Sequence, residues 1–182
     1  MAYTTDWFLE QARLGRMYSA CNQAGATVTL INTSTTTGFV LSNPYGSGKK
    51  VVIKDAMFAY TTVPTATAVL FLAQSIGVSA TAHATTTALN VYNVDGRGAR
   101  SGPDGGARAN AYSISTTPNL PVYSRILGYS PTTPATSDGL SFKDEVNGAL
   151  ILVPGTYVQV SYITTAPVGI TYMSWVEVDE NE

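Results

Sequence analysis

The stretch from Leu41 to Pro64 reads LSNPYGSGKKVVIKDAMFAYTTVP and is the most clearly punctuated part of the chain. It opens with a cluster of turn residues, Asn43 to Gly48, and continues as a β-branched and aromatic run from Val51 to Tyr60. Turn residues followed by such a run are typical of a tight loop that enters a long strand. We therefore expect a long strand here, with an all-β domain built around it.

The composition fits that expectation. A chain of 182 residues suits one domain, and its hydrophobic share of 45% comes with a charged share of only 12%. That charged share is about half the usual one, which favours a surface that contacts other protein. The net charge is −2 and the ten basic residues are scattered along the chain. Because no basic stripe follows a phosphate backbone, we expect no nucleic acid partner.

Three further classes are disfavoured. The chain has one cysteine, Cys21, so no disulfide forms within it, and we interpret this residue as a small buried side chain. No apolar run approaches the ~18 residues of a membrane span. Residues 1–25 lack a basic start followed by an apolar segment, so we expect no signal peptide and synthesis in a cytoplasm.

Residues 4–14, TTDWFLEQARL, form the one good helix candidate, with Thr5 as the predicted cap and Gly15 after its end. Its predicted apolar face comprises Trp7, Phe8, Gln11, Ala12 and Leu14. A helix this short is marginal in water, so these side chains must dock on another surface. That surface is either the edge of the chain's own sandwich or a neighbouring subunit.

Other strands are predicted from alternating or short apolar runs, at residues 26–32, 38–41, 65–74, 86–94, 109–116, 122–129, 149–153, 156–163 and 169–178. Pro154-Gly155 predicts a hairpin turn, and Gly15 to Gly25 is interpreted as a linker anchored by Tyr18. The expected organisation is a helix-and-linker arm at residues 1–25, followed by a jelly-roll-like β-sandwich domain at residues 26–182.

The longest interruption is the glycine-rich segment Asp95 to Arg108. Its composition excludes regular structure, and it is either an ordered excursion held by a partner or a mobile loop. A second loop, Ser130 to Gly139, ends in the turn signal Asp138-Gly139.

The search for catalytic residues finds no convincing set. His83 is the only histidine, the chain lacks a GxSxG elbow, and we interpret His83 as a solvated loop residue. One histidine and one cysteine do not make a zinc site. Asp95, Asp104 and Asp138 each precede glycine, which favours Asx turns over calcium binding. We predict no catalytic residue, no metal and no cofactor.

The Gly46-Ser47-Gly48-Lys49 sequence is not a phosphate-binding loop. That motif needs a glycine at position 43 and Ser or Thr at position 50, which hold Asn43 and Lys50. The segment also precedes a strand rather than a helix, so a hairpin turn is the better interpretation. Tyr45, within this turn, is the tyrosine most expected to be exposed. It would stack on a sugar, fill a neighbour's pocket or pack across its own loop.

A family resemblance rests on several phrases of the sequence. Gly15-Arg16-Met17-Tyr18, Asn22 to Gly25, Leu41 to Ile53, Val153 to Val158 and Trp175 to Glu177 together resemble small virion proteins of tailed bacteriophages. The resemblance covers both ends and the central strand, but not the glycine-rich middle. It implies a structural or decoration role on the capsid, a β-sandwich fold, oligomeric and often trimeric assembly, and no catalytic residues.

The leading hypothesis is therefore a non-enzymatic capsid decoration or cement subunit on the virion surface. Its partners would be the major capsid protein and copies of itself. The residues expected at the interface are Trp7, Phe8, Leu14, Tyr18 and Tyr45. The alternative is a receptor- or carbohydrate-binding head of a phage fibre or spike. A third hypothesis, a hydrolase, needs His83 or a carboxylate pair assembled by the fold.

Overall fold

The structure is a computed structural model that describes residues 6–30, 35–62, 66–98, 100–102, 105–130 and 140–182. These residues contain one helix, α1 (Trp7–Arg13), and strands in two antiparallel sheets. In chain order the strands are β1 (Met17–Cys21), β2 (Ala26–Thr27), β3 (Thr35–Asn43), β4 (Lys49–Tyr60), β5 (Ala68–Ser75), β6 (Ala84–Leu89), β7 (Val91–Asn93), β8 (Asn110–Thr116), β9 (Pro121–Ser130), β10 (Ser141–Asp144), β11 (Ile151–Leu152), β12 (Thr156–Thr164) and β13 (Val168–Asp179). The predicted all-β sandwich is confirmed.

The strand order is that of a jelly roll. The first sheet runs β10-β4-β13-β1-β7, with β11 also paired to β4 and β2 to β13. The second sheet runs β6-β8-β3-β12-β5-β9. From β3 to β5 and from β9 to β13 the main strands alternate between the sheets, so most connections cross the sandwich. The segment between β5 and β9 adds β6, β7 and β8, which extend the second sheet beyond β3 and the first beyond β1.

The core lies between the two sheets and draws on both. Ile53, Phe58 and Trp175 of the first sheet share one buried cluster with Phe39 and Leu72 of the second. Strand β4 pairs with β13 from Lys49 opposite Asp179 to Tyr60 opposite Gly169. The long strand predicted from the opening stretch is therefore confirmed, and it lies beside the last strand of the chain.

Two connections were predicted wrongly as hairpins. The turn at Pro154-Gly155 joins β11, which pairs with β4, to β12, which pairs with β3 and β5. The turn at Asn43 to Lys49 likewise leads from β3 in the second sheet to β4 in the first. Both are turns, as their residues indicate, but each carries the chain across the sandwich because its flanking strands find partners far away in sequence.

The interpretation of Gly15 to Gly25 as a linker is also wrong. Strand β1 lies within it and pairs with β13 on one side and β7 on the other. The sandwich therefore begins at Met17 rather than at residue 26. Its short sequence, MYSAC, has no strict apolar alternation because this strand is largely covered on both faces.

Other boundaries shift. The single strand predicted at 86–94 is two, β6 in the second sheet and β7 in the first. Within the described residues 26–30, the strand predicted at 26–32 is reduced to β2, and the four-residue strand β10 was missed. Thr5, Asp104 and the predicted Asp138-Gly139 turn lie outside the described residues.

The described part of the glycine-rich segment is held by contacts within the chain. Glu177 is buried, and its carboxylate accepts from the backbone N–H groups of Arg108 and Ala109 at 2.7 and 3.0 Å. The indole Nε1 of Trp175 donates to the same carboxylate at 3.1 Å. These three donors offset the cost of burying the Glu177 side chain. Of the two alternatives, the ordered excursion fits these residues, and the contacts that order it come from the chain itself.

Candidate functional sites

Helix α1 docks on the outer face of the first sheet. Asp6 caps it, with Oδ1 accepting from the Phe8 backbone N–H at 3.0 Å. Phe8 and Ala12 pack against a buried cluster formed by Met17, Val52, Val176 and Val178. Because seven residues make a helix too short to persist alone, this packing is what holds it.

The docking face differs from the predicted one. Gln11 is buried between Phe8 and Ala12 in sequence, so the docked face is the 8-11-12 stripe. Trp7 and Leu14, expected on that face, are 43% and 47% exposed, and Leu9 is 55% exposed. The helix therefore presents three large apolar side chains to solvent. Trp7 and Leu14 are seven positions apart and share one side of the helix, whereas Leu9 lies on the other side. We define Trp7 and Leu14 as the helix surface.

The other two candidate contact residues behave in opposite ways. Tyr18 is 2% exposed and lies in the core beside Trp175, with ring centroids 6.5 Å apart. Its place at an external interface is therefore corrected, because the strand that carries it is part of the sandwich. Tyr45 is 64% exposed, as predicted. It lies at the β3–β4 connection, so the five candidate residues do not form one surface.

A cleft of about 460 Å³, including its open mouth, lies on the outer face of the second sheet. Leu41 and Ala111 point into the core, so their neighbours Ser42 and Asn110, which are register partners, point outward. The cleft is lined by Ser42, Asn110 and Tyr112 of the sheet, by Tyr45, and by residues 79–83. We refer to it as the His83 cleft. No local pattern in the sequence identified Ser42 or Asn110 as candidates.

One wall of the His83 cleft is a segment that follows β5, which we call the covering segment (residues 76–83). The Ser79 N–H donates to the Gly155 carbonyl at 2.9 Å, and the Gly155 N–H donates to the Asn43 carbonyl at 2.8 Å. The Asn119 side-chain amide donates to the Ile76 carbonyl at 2.7 Å. The covering segment is thus tied to the turns around it rather than free in solvent.

His83 ends the covering segment and packs between two tyrosines. Its ring stacks on Tyr112 at 5.8 Å and meets Tyr157 edge-on at 4.9 Å, and its Nδ1 lies 3.1 Å from Ser115 Oγ. Burial lowers the pKa of His83 to about 4, so the ring is neutral near pH 7. The interpretation of His83 as a solvated loop residue is wrong, because its aromatic neighbours come from strands distant in sequence.

The surroundings of His83 do not form a hydrolytic relay. Ser115 is fully buried, and no carboxylate in the described part of the chain hydrogen-bonds to the imidazole. Burial also raises the pKa of Tyr157 to about 12, and its hydroxyl donates to the Asn119 carbonyl. These groups are therefore neutral hydrogen-bonding groups at neutral pH rather than a nucleophile with its base.

Several acidic side chains form ion pairs or turns. Asp144 of β10 binds Arg125 of β9 through two hydrogen bonds of 2.7 and 2.9 Å, which link the two sheets at one side. Asp95 Oδ1 accepts from the Arg97 N–H at 3.1 Å, which confirms an Asx turn at that residue. Within the described ranges, no three His, Cys, Asp or Glu side chains lie close enough to hold a metal ion.

The sequence predicts a buried side chain for Cys21, but the residue is half-buried. Burial raises the pKa of its thiol. A thiol with a raised pKa carries less thiolate at neutral pH, so it is a weaker nucleophile.

Comparisons of the chain with protein-family models, with curated proteins and with solved structures gave no match. In the described ranges, no helix has the length and apolar character needed to cross a membrane.

Proposed function

We propose that this chain is a structural virion protein of a tailed bacteriophage that decorates or cements the capsid through protein–protein contacts. Three features support the proposal: the resemblance of its turn-and-strand phrases to such proteins, the jelly-roll sandwich that viral capsid proteins also use, and the low charged share of 12%. Its work would be adhesion by a stiff two-layer body.

The observation that carries the proposal is the helix surface. A helix docked through Phe8 and Ala12 still leaves Trp7, Leu9 and Leu14 in solvent. Three exposed large apolar residues on so short a helix are unfavourable for a protein that works alone in water. Aromatic anchors held on a rigid element are typical of interface hot spots. On a capsid, this surface would seat against the major capsid protein.

Copies of the chain would associate through strand β9. Among the described strands it has one neighbour, β5, so its other edge is open to pairing. The side chains beside that edge are apolar: Ile126 is 67% exposed opposite Phe71, and Tyr129 is 58% exposed opposite Val69. A second copy would add its own β9 and cover this apolar strip.

Particle loading tests the helix surface. The Trp7→Asp/Leu14→Asp double variant should bind particles that lack this subunit at least tenfold more weakly, as measured by co-sedimentation. The reason is that each carboxylate would lose its hydration against an apolar partner without gaining a hydrogen-bond partner there. Leu120→Asp is the matched control, since Leu120 is 47% exposed like Leu14 but lies between β8 and β9. Full loading of the double variant would refute the proposed contact.

A further inference from the structure

The His83 cleft carries an inference that does not depend on the virion role. Its walls are the outer face of β3 and β8, the covering segment and the β3–β4 turn. Its volume of about 460 Å³ includes open solvent at the mouth, so the cleft is an open surface site with room for part of a small ligand rather than an enclosed pocket. The question is which ligand chemistry its lining would accept.

The lining has no charge. It consists of Ser, Thr, Asn, Ala, Pro, Gly, Tyr and the neutral His83. A phosphate or carboxylate ligand would lose its hydration here without gaining a positive partner, which costs several kcal/mol for an ion. The cleft therefore selects against ionic ligands and favours uncharged polar ones.

Several lining groups have hydrogen-bonding capacity to spare. The Ser42 hydroxyl, the Asn110 amide and the Tyr45 hydroxyl make no hydrogen bond to any described residue. Together they offer both donors and acceptors, with the amide supplying each from one side chain. Such a mixed set matches ligand hydroxyl groups, which donate and accept at once.

His83 adds a second polar group. Ser115 Oγ lies 3.1 Å from His83 Nδ1 and 3.4 Å from the Thr116 carbonyl oxygen, so its one proton serves either acceptor. His83 Nε2 finds no partner in the described part of the chain; it is an acceptor in one tautomer and a donor in the other. A ligand hydroxyl, which both donates and accepts, matches Nε2 in either tautomer.

An aromatic ring completes the lining. Tyr45 stands at the mouth of the cleft and is 64% exposed, so its face is available to a ligand. The apolar C–H face of a pyranose packs on such a ring while its hydroxyl groups bind polar side chains. A neutral wall, spare hydroxyl partners and an exposed ring are together the chemistry of a sugar site.

We propose that the His83 cleft binds an uncharged sugar unit of a glycan, with Tyr45 under the ring and Asn110, Ser42 and His83 Nε2 on its hydroxyl groups. This role fits the receptor-binding alternative and goes beyond the decoration role, which does not require it. The bound unit would sit with one face on Tyr45 and one edge against the sheet.

The test follows the imidazole NMR signals of the full chain. His83 is its only histidine, so these signals form a single set. Neutral trisaccharides (maltotriose, cellotriose, chitotriose and mannotriose) and the anionic trigalacturonate are titrated while the His83 ring signals are followed. We expect a saturable shift with at least one neutral sugar, with a dissociation constant of about 1 mM or tighter, and none with trigalacturonate.

Matched variants locate the site. Tyr45→Ala and Asn110→Ala should each weaken binding of the same sugar about tenfold. Tyr129→Ala removes a tyrosine of similar exposure, 58% against 64%, from strand β9 outside the cleft, and should leave binding within about twofold. Absence of any saturable shift with all four neutral sugars, or binding unchanged by both cleft variants, would overturn the proposal. Particle loading of the Trp7→Asp/Leu14→Asp variant is a separate measurement, so failure of one proposal leaves the other intact.

Discussion

On the outer face of the first sheet, helix α1 covers Val52 and Val176 with Phe8 and Ala12, whereas on the second sheet the covering segment places His83 against Tyr112 and Tyr157. The first cover is mainly apolar, with Gln11 buried between Phe8 and Ala12. The second is aromatic and polar, is tied down by directed hydrogen bonds, and leaves a cleft beside it. Burying apolar side chains needs only close contact, whereas each buried polar group needs a hydrogen-bond partner. Polar groups that find no partner within the chain are available to a ligand.

The largest expected effect breaks the second cover at its anchor. Gly155 has φ +85°, and a Cβ there would lie 2.7 Å from both the Ser79 carbonyl oxygen and Val78 Cγ1. Gly155→Ala should therefore lower the unfolding free energy by about 3 kcal/mol, from backbone strain plus overpacking. Urea unfolding measures it.

Gly46→Ala is the control for Gly155→Ala. Gly46 has φ +73°, but a Cβ there would meet no atom within 4 Å. It should cost only the strain, about 1 kcal/mol. Equal losses for the two variants would mean that the covering segment does not press on Gly155.

The next effect breaks the first cover. Phe8→Ala should cost about 2 kcal/mol of unfolding free energy, because a half-buried phenyl ring leaves Met17, Val52 and Val176 partly uncovered. Thermal and urea unfolding would show a single, earlier transition. A loss below about 0.5 kcal/mol would indicate that α1 is not docked as described.

A pH series separates the two covers. The folded-state pKa of His83, about 4, lies below its ordinary value of 6.5, so the unfolded chain binds more protons between these pH values. Stability contributed by neutral His83 is complete above pH 6.5 and is lost as pH falls toward 4. After allowance for solvent screening of the partly exposed ring, the loss is roughly 1.5 kcal/mol.

His83→Phe keeps a ring against Tyr112 and Tyr157 but does not titrate. Between pH 6.5 and 4, the wild type should therefore lose unfolding free energy relative to this variant as the pH falls. Phe8→Ala should run parallel to the wild type over the same range. Parallel curves for His83→Phe and the wild type would contradict burial of the imidazole.

The smallest effect sharpens the contrast within α1 itself. Trp7→Ala, one position from Phe8, should change the unfolding free energy by less than about 0.5 kcal/mol, since Trp7 faces solvent and contacts Phe8 only edge-on, with ring centroids 4.9 Å apart. The measurement is the same urea titration. A loss as large as that of Phe8→Ala would place Trp7 in the docked face.

Local sequence patterns predicted the strands and turns of this fold better than they predicted which strands pair with one another. The run from Val51 to Tyr60 and the last strand were predictable because a β-branched and aromatic run needs only its own residues to be recognised. The Pro154-Gly155 turn was also visible, but not the sheet each flanking strand joins. That choice is made by β3, β4 and β5, which lie about a hundred residues away.

The candidate sites show the same limit. Exposure of Tyr45 followed from its place in a turn, whereas burial of Tyr18 required knowing that Met17–Cys21 is a central strand. Trp7 on the exposed face of α1 and Phe8 on its docked face are neighbours in sequence. An apolar pattern that includes both residues does not predict which of them is docked. His83 is flanked by small and polar residues, so nothing nearby revealed its two tyrosine neighbours.

The most direct test of the contrast between the two covers is an NMR titration of the only histidine in the folded chain. With the covering segment closed over Tyr112 and Tyr157, the imidazole signals should titrate with a pKa of about 4 and show ring-current shifts from both tyrosines. A midpoint near the ordinary 6.5, with random-coil ring shifts, would mean that His83 lies in solvent and that the second sheet has no such cover.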